Sequence, residues 1–322
     1  MTPNLNAAVV GCGGAGSNHA RGYELAEGVD LVAVCDLDET RARKLAEEHG
    51  VRSFTEQASM HEETRPDIVS VATPEAHHVA PAITALEADA HVLCEKIFAH
   101  SLEAGREMVD AVERANRTLA VDYNYRHIPV FERLIDATQD GELGEVRLVS
   151  MEVNAFCWHH ALDLLRALLG EPRTVQATLD RDDQWAFWEY HDELLYVPAP
   201  TAAATLTFRD GSIASIGASQ HGGGPDEQMI DLTIRGADGR AGVTGVRIED
   251  TSGKPIDAAL VDELAACEPI TLAQSFHRSV DAFVTAVRAG SPPPTTGHDG
   301  LAVMEIERAV VEAARTGKRV EP

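Results

Sequence analysis

The stretch Ala7-Ala-Val-Val-Gly-Cys-Gly-Gly-Ala-Gly16 decides the fold of this chain. Four apolar residues run straight into glycines at 11, 13 and 16, and a helical segment follows. Asp36 closes the next apolar run, Val32-Ala-Val-Cys-Asp36, twenty positions after Gly16. Strand, Gly-x-Gly-x-x-Gly turn, helix and acidic residue in this order form a dinucleotide-binding fingerprint. Gly11 makes the tight turn, Gly13 lets backbone N–H groups approach a pyrophosphate, and Gly16 lets the helix pack closely on the strand. With Gly14 and Ala15 they shape a loop that delivers the phosphates to the positive end of the helix. The glycines alone are a weak signal, and their context makes them specific.

Asp36 bears on which dinucleotide is used. A carboxylate at the end of the second strand accepts hydrogen bonds from a ribose 2′-OH and repels a 2′-phosphate, which favours NAD over NADP. Arg41 and Arg43 lie too far along the chain to reverse this.

Composition sets the outer limits. The 322 residues suffice for two domains of ordinary size. No apolar run reaches transmembrane length, and the first residues lack a basic segment followed by a hydrophobic one, so a cytoplasmic location is expected. The five cysteines, Cys12, Cys35, Cys94, Cys157 and Cys267, are odd in number and contain no Cys-x-x-Cys pair. That argues against a disulfide framework and a thiolate metal site, and no metal is expected. The formal charge of −25, with only four lysines (Lys44, Lys96, Lys254, Lys318), makes nucleic acid and anionic membrane poor partners. An acidic, lysine-poor surface also suits concentrated salt, and ordinary acidity from a high-GC genome is the simpler alternative.

The first third alternates apolar strands with amphipathic helices. Strands are expected at 7–10, 31–35, 51–54, 68–72, 91–94 and 118–123, and helices near 15–27, 38–48, 75–88 and 102–116, the last capped by Ser101. Such alternation implies an α/β Rossmann domain, a doubly wound parallel sheet spanning residues 1–122, with ligand outside the carboxyl ends of its strands. After Tyr123 the pattern changes. A helix over 130–137, a long strand over 146–156 and a helix over 160–169 lead into strands at 174–179, 203–208, 213–218, 229–235 and 242–248. Helices over 271–289 and 300–316 follow. Residues 123–322 are therefore expected to form an α+β domain with a largely antiparallel open sheet.

The chain resembles the Gfo/Idh/MocA oxidoreductases, named for glucose–fructose oxidoreductase and inositol dehydrogenase, over essentially its whole length. The motifs that carry the resemblance occur in the family's order: Gly11-Cys-Gly-Gly-Ala-Gly16 followed by His19, Ala72-Thr-Pro-Glu-Ala-His-His78, Cys94-Glu-Lys-Ile97, Asn124-Tyr-Arg126, Gly144-Glu-Val146 and His160-Ala-Leu-Asp163. The closing segment from Gly300 to Arg319 is similar as well.

The resemblance implies that Lys96, in the family's Glu-Lys-Pro segment, meets the reacting carbinol. Oxidising an alcohol requires removal of the hydroxyl proton as hydride leaves for nicotinamide C4, and beside a positive ring an ammonium releases its proton more readily. Without the motif, Lys96 would read as a solvated strand-end lysine. The family's second group, a histidine in the first helix of the substrate domain, falls on His160, one helical turn before Asp163. His160 suits acid–base work, a hydrogen bond to a substrate hydroxyl, or simple packing beside His159. The family's aspartate falls on Phe156, its glycine on Trp158, and the proline after the lysine is Ile97. Asp163, Trp158 and His159 are the candidate substrate contacts.

Thr73, Pro74, His78, Glu95 and Lys96 are candidate cofactor contacts at strand ends, although an isolated histidine such as His78 more often caps or packs on its helix. Asn124 and Arg126 resemble the family's Asn-x-Arg, where the arginine binds cofactor or acidic substrate, or makes a structural salt bridge. Trp185, Trp188 and Tyr190, among acidic residues, suit either a sugar-binding wall or a subunit interface. His221-Gly-Gly-Gly224 echoes an esterase oxyanion loop, but no Gly-x-Ser-x-Gly accompanies it, which leaves a loop.

The implied activity is NAD-dependent hydride transfer between a carbinol of a sugar, sugar acid or cyclic polyol and nicotinamide. Redox-assisted elimination or hydrolysis, and a non-catalytic NAD-binding regulator, are the alternatives within the family. An open sheet further predicts a homodimer or homotetramer that buries its uncovered face.

Overall fold

A computed structural model describes residues 3–180, 201–219, 230–243, 247–256 and 272–322. Cys267, the aromatic group Trp185, Trp188 and Tyr190, and the His221–Gly224 loop lie outside these residues.

The first unit holds six parallel strands: β1 (Leu5–Val10), β2 (Val29–Cys35), β3 (Arg52–Phe54), β4 (Ile68–Val71), β5 (His91–Glu95) and β6 (Leu119–Asp122). Their order is β3-β2-β1-β4-β5-β6. The order reverses between β1 and β4, and the crevice outside their carboxyl ends is where open α/β sheets bind ligands. Strands β4 and β6 are buried at every position, as expected of parallel strands covered on both faces. The connecting helices are α1 (Gly14–Leu25), α2 (Glu39–His49), α3 (Gln57–Thr64), α4 (Val79–Glu87) and α5 (Leu102–Ala115).

Local chemistry explains these elements. Asp38 caps α2 by accepting from Thr40 N and Arg41 N, and Gly50 ends that helix in the left-handed conformation. Ser101 caps α5 through Ala104 N, as its sequence position predicts. Two differences from the sequence pattern have simple causes. Helix α3 buries only Met60 and His61, so it carries almost no apolar stripe to announce it. The helix expected over 75–88 begins instead as a 3-10 turn (Glu75–His77) before α4.

The second unit contains α6 (Pro129–Gln139), β7 (Val146–Asn154), α7 (Trp158–Leu169), β8 (Pro172–Asp180), β9 (Thr201–Phe208), β10 (Ile213–Ser219), β11 (Ile230–Gly236), β12 (Gly239–Gly242) and β13 (Arg247–Asp250). Among the described residues its sheet has the order β13-β12-β11-β7-β10-β9-β8, antiparallel except for the β7–β10 pair. The single strand expected over 242–248 is instead the two short strands β12 and β13, paired antiparallel. Apolar residues recur through the stretch, at Ala241, Val243, Val246 and Ile248, and mask the break.

Residues of β9 and β10 alternate between buried and accessible along the chain. The buried side carries Ala202, Ala204, Leu206, Phe208, Ala214, Ile216 and Ala218. The accessible side carries Thr201, Ala203, Thr205, Ile213 and Ser215, small or polar apart from Ile213 at 41% exposure.

Helices α8 (Leu272–Ala289) and α9 (Gly297–Thr316) end the chain. The two units are discontinuous: Met1–Asn124 with Thr271–Ala302, and Tyr125–Ile270 with Val303–Pro322. A boundary near residue 122 therefore describes only the first crossing. Helix α8 returns to the first unit because Val280, Phe283 and Val284 join the core cluster of Ala7, Val9, Tyr23 and Val34. Gly22 of α1 permits the approach, since a Cβ there would lie 2.9 Å from Val280 Cγ2.

Candidate active site

The glycine turn fits a dinucleotide. Gly11 has φ +98°, and a side chain on it would overlap the Ala72 carbonyl, where the end of β4 comes close to the end of β1. A Cβ on Gly16 would overlap the Gly11 carbonyl, so α1 packs against the turn only because residue 16 is glycine. Beside Gly13 and Gly14, by contrast, a Cβ would meet nothing within 4 Å. Gly13 is the N-cap of α1 and brings no side-chain cap, which leaves the first-turn amides of the helix facing open space. Ala15, half-buried, follows in the same turn.

Asp36 stands next to this cradle. Its Oδ2 accepts from Cys12 N at 2.8 Å and its Oδ1 from Asp38 N at 2.8 Å, which pins the carboxylate at the mouth of β2. Burial, reinforced by the Asp36 charge, pushes the Cys12 thiol up to about 12 and that of Cys35 to about 11. Cys12, Cys35, Cys94 and Cys157 are free and buried, as small apolar residues would be.

At the end of β4, Thr73 is half-buried and Pro74 exposed. The ring of His78 is fully buried, with Nδ1 2.7 Å from the Ile97 carbonyl and Nε2 2.9 Å from that of Thr73. Burial lowers its pKa against the pull of these two carbonyls. His78 thus lies between the β4 end and the segment that follows Lys96, each ring nitrogen facing a carbonyl, and the neutral ring donates its single N–H to one of the two.

Lys96, half-buried, is the first residue after β5, and the Lys96–Ile97 peptide is cis. Beside it lies a buried ionisable cluster that sequence reasoning did not assemble. His19 Nε2, from α1, is 3.1 Å from Glu95 Oε1 and 3.3 Å from Asp122 Oδ2. Its Nδ1 is 3.1 Å from Ser70 Oγ, which in turn bonds Tyr23 OH at 2.8 Å. Ser279 of α8 donates to Asp122 Oδ1 at 2.5 Å, and Lys96 N donates to Glu95 Oε2 at 3.2 Å.

Burial alone would lower the pKa of His19, but the bond to Glu95 and the charges of Asp122 and Glu95 raise it. Burial would raise that of Glu95, and the His19 bond, with the positive charges of His19 and Lys96, lowers it instead. Burial and the Glu95 charge push Asp122 up to about 7 against the opposing pull of His19, Ser279 and Lys96. His19 was visible as a motif residue. Asp122 and Ser279 gave no signal, because they come from separate strands and helices. Asn124, also buried, spends its amide nitrogen on Ser275 Oγ at 3.1 Å.

In the second unit the turn that follows Asn124 grips the start of α7. Arg126 Nε and Nη2 donate to Asp163 Oδ2 and Oδ1 at 2.6 and 2.7 Å, a bidentate pair around a carboxylate whose side chain is 1% exposed. The Tyr125 ring lies on that of His160, centroids 4.5 Å apart, and its hydroxyl is 3.2 Å from Cys157 Sγ. His159 Nε2 is 2.7 Å from Glu307 Oε2 with both side chains buried, and Trp158 is 6% exposed. Asp163, His159 and Trp158 therefore brace α7 from inside the unit. Phe156, at the position of the family's aspartate, is 55% exposed on the 3-10 turn that precedes α7.

A doubly wound sheet with this glycine cradle and a lysine at the end of β5 defines an oxidoreductase that works with a nicotinamide dinucleotide. Residues 5–123 match the oxidoreductase family's NAD-binding Rossmann fold, and residues 155–321 match its C-terminal alpha/beta domain. The chain belongs to the Gfo/Idh/MocA oxidoreductase family. It is 26% identical to D-glucoside 3-dehydrogenase from Escherichia coli (strain K12), covering 98% of this chain and 97% of that protein. It is 28% identical to inositol 2-dehydrogenase from Rubrobacter xylanophilus, covering 96% and 90%. An oxidoreductase from Agrobacterium radiobacter, solved with NAD+, L-tartaric acid and magnesium, shares the fold at a TM-score of 0.85 and 21% identity, with 99% and 98% of the two chains covered.

Proposed function

We propose that this protein is an NAD-dependent dehydrogenase that oxidises a secondary hydroxyl or hemiacetal carbon of a sugar, sugar acid or cyclic polyol, with Lys96 as the group that takes the hydroxyl proton. The placement of Lys96 carries this reading: it is the residue that leaves β5 at the carboxyl edge of the sheet, half-buried, with Glu95 held beside it. Bound NAD supplies the hydride acceptor. The protein's share is to hold the carbinol and to move its proton. His160 is assigned the second proton-handling role by its place in the family motif, and Asp163, His159 and Trp158 support α7. Relatives named as glucoside and inositol dehydrogenases support the substrate class, and they favour oxidation over redox-neutral or regulatory roles. A panel of polyols and aldoses, followed by NADH absorbance, tests it. NADH formation with at least one member is expected, and binding of NAD and sugar without any reduction would transfer the protein to the regulator class.

Asp36 is assigned to the adenosine ribose. Like charge against a 2′-phosphate makes NAD bind at least tenfold tighter than NADP, roughly 1.4 kcal/mol or more. Calorimetry with the two dinucleotides measures this, and equal affinity would remove Asp36 from the role.

Assembly through the uncovered face of the second sheet is proposed as well. Its small side chains on β9 and β10 allow close backbone approach by a second copy, and a two-fold contact of this kind closes on itself. Light scattering is expected to report a dimer or a dimer of dimers, and a monomer at all working concentrations would refute it. Free, buried cysteines suit a reducing cytoplasm.

A further inference from the structure

His19, Glu95 and Asp122 bring one imidazole and two carboxylates to one point from α1, β5 and β6, with exposures of 0%, 7% and 1%. One ligand atom from each lies within 4.8 Å of those of the other two. His19 Nε2 stands 3.1 Å from Glu95 Oε1 and 3.3 Å from Asp122 Oδ2. Atoms bound ~2.0–2.2 Å from a shared ion stand roughly 3–3.5 Å apart, so both edges have the size of a coordination sphere. Each side chain is also held through its other atom. His19 Nδ1 is 3.1 Å from Ser70 Oγ, Glu95 Oε2 accepts from Lys96 N, and Asp122 Oδ1 accepts from Ser279 Oγ. Outer partners of this kind orient the ligands of metal sites: with Nδ1–H donating to Ser70, the ring presents the Nε2 lone pair to the carboxylates.

Protonation of His19 would satisfy the cluster only in part. A single Nε2–H serves Glu95, and Asp122 Oδ2, sealed from solvent, accepts no hydrogen bond among the described residues. A divalent ion would neutralise both carboxylates and leave the imidazole neutral. We propose that His19 Nε2, Glu95 Oε1 and Asp122 Oδ2 form a structural site for one divalent transition cation, Zn2+ or Mn2+, that pins α1 to β5 and β6. One nitrogen with two oxygens suits these ions, whereas Mg2+ and Ca2+ favour oxygen alone. The cysteine count argued only against a thiolate site. Helix α1 starts at the glycine turn, so the ion steadies the dinucleotide cradle without meeting substrate. The site goes beyond the dehydrogenase reading and does not depend on it.

Since the ligands are buried, the metal enters as the chain folds. The full-length protein is refolded with Zn2+ or Mn2+, passed through EDTA to remove loosely held ions, and its metal content is read by plasma mass spectrometry. About one ion per chain is expected in the wild type with at least one of the two metals, and less than about a tenth of that in His19→Gln and Asp122→Asn. Ser279→Ala, which keeps all three ligands, should weaken binding ~10–100-fold in competition with a chelator, and it decides the matter if neither ligand variant folds. A wild type that retains neither metal overturns the proposal, as do folded ligand variants that keep the wild-type content or an unchanged affinity in Ser279→Ala. Metal content is read without substrate or NAD, so failure here leaves the dehydrogenase reading standing.

Discussion

Lys96→Ala should lower turnover by ~10²–10⁴ on the polyol or aldose that reduces NAD fastest, the range for loss of a general acid or base, while NAD affinity stays within about threefold. The reasoning starts from the sheet. Strand β5 ends at Glu95, and the next residue leaves the carboxyl edge with its backbone amide bonded to the Glu95 carboxylate. Glu95 is itself held by His19, so the lysine rises from a fixed base. Removing its side chain takes away the proposed proton acceptor and leaves the glycine turn and Asp36 untouched. Lys96→Arg should not rescue activity, because a guanidinium keeps its proton at any accessible pH. His160→Ala should cost less, since Phe156 stands where the family's aspartate would complete a polar set. Steady-state kinetics with parallel calorimetry checks all three, and full activity in Lys96→Ala would end the mechanism proposed here.

The second large effect concerns stability. Arg126→Ala should destabilise the protein by about 3–5 kcal/mol, because it leaves the buried Asp163 carboxylate without its bidentate guanidinium. That is a large share of the ~5–15 kcal/mol typical of whole proteins. Arg126→Lys should recover only part of the loss, since an ammonium cannot form the paired contact. Replacing both residues by apolar ones, Arg126→Met with Asp163→Leu, should cost less than Arg126→Ala alone, because no charge is then left buried. Denaturant unfolding followed by circular dichroism reads these differences. A loss below about 1 kcal/mol in Arg126→Ala would show that the pair does not brace α7.

Most of the first unit could be read from residue order. The glycines at 11, 13 and 16, the alternation of apolar strands with helices, and Ser101 before α5 are local signals, and each strand that they predict is present in the sheet. The missed pieces carry weak local signals. Helix α3 buries only two residues, and the β12–β13 pair hides inside one stretch of recurring apolar residues.

What the sequence by itself determined is the covalent order of its motifs: a dinucleotide turn, an acidic residue after the second strand, a lysine after the fifth, and a histidine one helical turn before Asp163. Those are properties of short segments, in which spacing along the chain and spacing in space are nearly the same thing. Only the tertiary structure decided which groups share a dry environment. Ser279 reaches Asp122 across 157 positions, His159 reaches Glu307 across 148, and His19 reaches Glu95 across 76. It also paired Arg126 with Asp163 across 37 positions. Hydrophobic periodicity reports which face of a segment is buried, but not what is buried opposite it. Because burial sets both the cost of a charge and the need for a partner, the chemistry beside Lys96 came into view only when α1, β5, β6 and α8 were seen packed together.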